Sequence, residues 1–208
     1  MKFATLLAEH RDEHALERIG AALDAMTHEE RKLTMLSIEP AEQRALWKLV
    51  KDRPVDTDHF VPPGIEPLRQ VIHHGKNSLL AHNFFQKRFC RADDGSNELW
   101  GYNHQTLAWA SGPGYFVARD ASPETDRVRA RDDGDLPASY LIDYTRLPPK
   151  KPDAWPRILP NERLISRFVY AGMKDFMRRV SRHVSIGRAH RNGRVMNAWF
   201  VLCREDPS

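Results

Sequence analysis

Residues 161–202 read NERLISRFVYAGMKDFMRRVSRHVSIGRAHRNGRVMNAWFVL, and the fold turns on where helix gives way to strand within them. Asn161 suits a helix N-cap, and the spacing that follows predicts one amphipathic helix over 162–180. At 100° per residue, Arg163, Arg167, Lys174 and Arg178 fall within about 60° of one another, with Phe168, Val169, Gly172, Phe176 and Val180 on the other side. Asn192-Gly193 is the strongest two-residue turn signal in the chain, because both residues tolerate the positive φ of a type I′ turn. The resulting hairpin pairs Arg191 with Arg194, His190 with Val195, Arg188 with Asn197, Ile186 with Trp199 and Val184 with Val201.

Working upstream, the prolines between 147 and 160 make a stiff crossover that Trp155 and Ile158 pin to the body. Ser139 to Thr145 reads as a strand, as do Tyr115 to Ala118, Glu98 to Asn103 and Leu79 to Arg91; the last two flank the turn cluster Asp93-Asp94-Gly95-Ser96. Residues 120–137 lack periodicity and read as a loop. A short helix is expected from Glu66 to His74, closed by Gly75.

The first fifty residues read as helices. Leu16, Ile19, Leu23 and Met26 recur at helical spacing, Thr27 with Glu30 forms a capping box, and Pro40 fits the first turn of the next helix. The expected architecture is therefore α+β: a helical arm or bundle over 1–53, then a core over 54–208. In that core a mainly antiparallel sheet of about six strands packs against the 162–180 helix.

With 208 residues and 41% hydrophobic composition the chain can fill one domain core. The N-terminus turns charged at Glu9, and no uncharged run approaches a membrane span, so no membrane association is expected. Cys90 and Cys203 have no nearby cysteine partner, which fits reduced thiols in a cytoplasmic protein.

The net charge of +4 is uneven: residues 161–208 carry ten Lys/Arg against four Asp/Glu, while residues 1–60 carry nine against twelve. That polarity points to an anionic partner, a phosphorylated ligand or nucleic acid, at the C-terminal end. Lys174, Arg178, Arg182, Arg188, Arg191 and Arg194 are the candidate contacts. The same segregation allows a homo-oligomer in which acidic helices meet a basic surface.

A second reading is a small-molecule sensor or enzyme whose pocket uses Trp100, Tyr102, His104 and Trp199, with Trp109 nearby. His10-Arg-Asp-Glu-His14 matches an H-x-x-E-H zinc string, but the apolar face shifts across it and a helix break at Asp12 explains the pattern better. His73, His74, His82 and His104, with Cys90, match no zinc spacing. No catalytic pair or triad emerges; Asp143, in an apolar strand, is expected to meet an arginine. No cofactor or metal is implied.

Overall fold

Eight strands form in this chain, and most are buried on both faces, because side chains fill one face and other segments cover the other. The computed structural model describes residues 1–9, 14–51, 53–79, 84–104, 113–121, 140–161 and 170–206. Five helices come mainly first: α1 (Phe3–Glu9), α2 (Ala15–Ala25), α3 (His28–Leu36), α4 (Pro40–Leu49) and the single turn α5 (Thr57–Phe60). The strands are β1 (Val71–Asn77), β2 (Phe84–Arg91), β3 (Leu99–His104), β4 (Tyr115–Asp120), β5 (Tyr140–Asp143), β6 (Met173–Arg179), β7 (Val184–Arg191) and β8 (Arg194–Arg204). Each pairs antiparallel with the next, and β8 returns to pair with β1, closing the sheet into a barrel.

This overturns the expected α+β sheet of six strands on one long helix. The two additional strands, β1 and β6, come from segments that read as helical. In β6, Lys174 and Arg178 lie four residues apart, a spacing shared by one helix face and one strand face. Asp175 and Met177 point into the barrel while Lys174, Phe176 and Arg178 face outward, so both faces mix charged and apolar groups and the alternation is masked. In β1 the inward positions are Val71, His73 and Gly75, too mixed to read as an apolar stripe. Residues 162–169 of the expected helix lie outside the described residues.

The capping box of α3 forms as read, with Thr27 and Glu30 each bonding the other's backbone N–H, and Pro40 opens α4. The Asn192-Gly193 turn has φ of 50° and 73°, and Arg191 pairs with Arg194 as read. A bulge between Arg188 and His190 then shifts the register by two, so that Arg188 pairs with Trp199, Ile186 with Val201 and Val184 with Cys203. The bulge has a local anchor, since Arg188 Nε donates to the Met196 carbonyl at 3.3 Å.

Three apolar clusters follow from closure. Inside the barrel lie Phe85, Phe89, Phe116, Tyr140, Tyr144, Tyr170, Met177 and Phe200, with Phe60 of α5 among them. An eight-stranded barrel is just wide enough for side chains to fill it, and here rings do so. One outer wall, Phe176, Ile186, Trp199 and Val201, is covered by Phe3, Ile19, Leu23, Leu46 and Trp47 of the helices. The N-terminal helices thus share a core with the barrel. The other outer wall, Trp100, Tyr102, Tyr115 and Val117, is covered by the proline-rich segment through Trp155, with Ile158 beside it. Trp155 Nε1 donates to Gln70 at 2.8 Å. Among the described residues no helix is long and apolar enough to cross a membrane.

Space for the rings is made by glycine on the neighbouring strand. Gly75, Gly101 and Gly187 each underlie a phenylalanine, Phe85, Phe116 and Phe200 in turn. A Cβ at 101 would enter the Phe116 ring and lie 2.6 Å from the Arg88 carbonyl oxygen, a backbone atom that cannot step aside. Gly101→Ala is therefore expected to lower unfolding free energy by about 2–3 kcal/mol in urea titrations, the scale of an overpacked core.

Candidate functional site

Two groups of polar residues are held by closure, one inside the barrel and one at its plugged end. On β2, Lys87 points inward and is 2% exposed. Its ammonium donates to Asn103 Oδ1 at 3.0 Å, to the Tyr144 hydroxyl, and to Asp175 Oδ2 at 3.3 Å, while Asn103 Nδ2 also donates to Tyr144 at 2.9 Å. The rings of Phe85, Phe116, Tyr144 and Phe200 surround it, with centroids 4.8–5.5 Å away. Burial pushes the Lys87 ammonium below its usual range and the Asp175 carboxyl above its own, each partly offset by the other's charge. Each member has its partners, and rings and strands fill the space around them. The cluster reads as a satisfied interior network.

At the end where β1 begins, α5 plugs the barrel. Asp56 caps this turn through the His59 N–H at 2.9 Å, and Phe60 lies against His73, Phe89 and Tyr140 with centroids 5.1–5.6 Å apart. His73 Nε2 donates to the Phe60 carbonyl at 2.9 Å, and Arg204 donates to the His59 carbonyl. The plug is thus tied to β1 and β8 through its backbone.

Beside the plug a cleft of about 680 Å³ opens between α2, the 53–63 segment and the turn joining β6 to β7. Arg53, Arg179, Arg182 and Arg204 line it, together with His59 and the carboxylates of Glu17, Asp24, Asp56 and Asp58. All four carboxylates are already engaged. Glu17 pairs with Arg53 at 3.3 Å, Asp58 with Arg91 at 2.6 Å, Asp24 accepts the Arg182 backbone N–H at 3.0 Å, and Asp56 caps α5. Among the described residues, the exposed guanidinium groups of Arg179 and Arg182 have no carboxylate partner. Two buried nitrogens at the wall, His59 Nε2 and Arg204 Nε, also lack hydrogen-bond partners. Burial first, then the charges of His73, Arg204, Arg179 and His183, holds His59 well below the usual histidine range. It is neutral, and it faces cations.

The six cations named from sequence do not form one surface. Lys174 faces outward on β6, 3.7 Å from Asp143, which also meets Arg119 at 3.1 Å, so Asp143 does find an arginine. Arg178 is 2% exposed; it donates to the Trp47 carbonyl at 2.9 Å and lies 3.8 Å from that ring's centroid. Arg188 stands over Trp199 at 5.2 Å. Arg182 belongs to the cleft beside the plug. Arg191 and Arg194 border a concavity with Asn192 and Met196 at the opposite end.

The aromatic pocket does not assemble either. Trp100 and Tyr102 are covered by Trp155, His104 is exposed at the end of β3, and Trp199 belongs to the outer wall on the far side of the barrel. Of the histidines, His73 points into the barrel while His74 points out to Glu205 at 2.7 Å. His10, His82, Trp109, Arg163 and Arg167 lie outside the described residues. Sequence reasoning missed Arg53, His59, Arg179 and Arg204, which converge only once the barrel closes. No protein-family model, curated protein or solved structure matches the chain.

The interior network yields a direct test. Lys87→Met leaves Asp175 buried without its cation and is expected to cost about 3–5 kcal/mol, whereas Lys87→Met with Asp175→Asn recovers most of that loss in denaturant titrations.

A second test uses His73, whose burial lowers its pKa from 6.5 to about 3. Between those values the unfolded chain binds the proton and the folded chain does not, so stability rises with pH. The contribution is complete above pH 6.5 and is lost as pH falls towards about 3. His73→Asn should flatten this acid-side slope, by at most about 1.4 kcal/mol per pH unit, when unfolding free energy is measured at a series of pH values.

Proposed function

We propose that this chain is a binding domain for a small phosphorylated ligand, held in the cleft beside the barrel plug. The observation that carries the reading is the convergence of Arg53, Arg179, Arg182 and Arg204 on one cleft whose carboxylates are already engaged. Guanidinium groups bind phosphate oxygens through paired, charge-assisted hydrogen bonds. His59 and Arg204 line the same cleft from its buried side.

A compact ligand fits better than a nucleic acid strand. Arg182 and the Arg191–Arg194 tip are separated by the length of β7, roughly 25 Å at strand rise; Arg188 between them is turned against Trp199, and Arg178 before them against Trp47. Among the described residues these cations therefore form no continuous track. We place the protein in a reducing compartment such as the cytoplasm, because Cys90 and Cys203 are free and buried. Burial pushes their thiols up to about 12 and about 11, which fits structural thiols.

Calorimetric titration with pyrophosphate tests the reading. Binding is expected for the native chain, and Arg179→Glu with Arg182→Glu should weaken it by about a hundredfold or more, since each charged hydrogen bond is worth about 1.5–3 kcal/mol. Both side chains are exposed, so the thermal transition should stay unchanged within about 1 kcal/mol. Undetectable pyrophosphate binding by the native chain, or equal binding by the double variant, contradicts the proposal.

A further inference from the structure

On the outer wall three side chains from three separate elements meet. His28 is the first residue of α3, His74 lies on the outward face of β1, and Glu205 directly follows β8. One donor atom from each lies within 4.8 Å of the others. We propose that His28, His74 and Glu205 form a binding site for a zinc-like divalent cation.

Chemistry and rigidity both support the assignment. Two imidazoles and one carboxylate are a ligand set that zinc uses when it keeps an open coordination position, and its bonds of about 2.0–2.2 Å place ligand atoms roughly 3.4 Å apart. His74 Nε2 and Glu205 Oε1 are now 2.7 Å apart, and the His28 and His74 ring centroids are 5.9 Å apart with a 47° tilt. Adjustments of about an ångström at side-chain torsions would bring the three donors to metal spacing.

Their backbones are already fixed. The Thr27–Glu30 capping box sets the first turn of α3, and the Glu205 N–H donates to the Ile72 carbonyl at 2.9 Å, extending the ladder between β8 and β1. An independent sign of an unfilled role is His28 Nδ1, which is buried and has no hydrogen-bond partner. His28 and His74 side chains are 22% and 18% exposed, which leaves the group open to a cation from solvent. The nearby Glu29 carboxylate, 3.9 Å from His28 Nε2, adds negative charge and is held by Lys32 at 2.6 Å.

The test uses the full chain without a histidine tag, titrated with cobalt(II) and then competed with zinc(II). Expected are one equivalent of cobalt, the intense visible bands of a four-coordinate ion, their loss on adding zinc, and a thermal transition raised by zinc. His28→Ala, His74→Ala and Glu205→Gln should each weaken binding by more than about a hundredfold, beyond the cost of losing an outer hydrogen-bond partner. Absence of cobalt binding, or binding that survives His28→Ala combined with His74→Ala at unchanged affinity, overturns the assignment. If a single variant loses its fold, Glu205→Gln decides, because it preserves shape and hydrogen bonding while removing the charge.

Discussion

The rest of the structure depends on the pairing of β1 with both β2 and β8. Without it the sheet has two edges and an apolar concave face; with it the sheet has an interior that must be filled. Phenylalanine rings laid over Gly75, Gly101 and Gly187 fill it, and Phe60 enters from the plugged end. Since ring and wall are matched in volume, polar groups inside must satisfy one another, as Lys87, Asn103, Tyr144 and Asp175 do. The arginine cleft and the His28–His74–Glu205 cluster accordingly lie outside this filled interior.

The helices are bound to this barrel by charge as well as by apolar contact. Arg178 reaches from β6 to the carbonyl and ring of Trp47 on α4, Arg44 lies over Trp199 from the opposite direction along the chain, and Arg31 of α3 meets Asp206. Of the C-terminal cations, Arg178 and Arg188 are taken up against Trp47 and Trp199. At the end beside the plug, Arg179 and Arg182 stand exposed on a cleft that Arg53 and Arg204 also line.

Local signals in the sequence were legible where a single residue type dictates geometry. The Thr27–Glu30 box, Pro40 at a helix start, the Asn192-Gly193 turn and the Asp93–Ser96 turn all predict what forms. Strands with mixed faces were not legible: a lysine-arginine spacing of four in β6 imitates a helix face, a histidine-glycine sequence in β1 imitates a helix end, and both errors removed a strand from the barrel. The register beyond Arg188 was hidden for a similar reason, since a bulge depends on contacts across the sheet and not on the turn that starts the hairpin. As for the site, Arg182 was readable as part of a basic run, whereas Arg53 and His59 sit over a hundred residues upstream and join it only through closure. His28, His74 and Glu205 are likewise joined only through the pairing of β1 with β8 and the packing of α3.

The central claim, an anion site at the plugged end, is tested most directly by backbone amide NMR shifts during a pyrophosphate titration. Shifts should concentrate at residues 179–182, 56–60 and 204, with residues 190–195 unmoved. Shifts confined to 190–195, or none at saturating pyrophosphate, would contradict it.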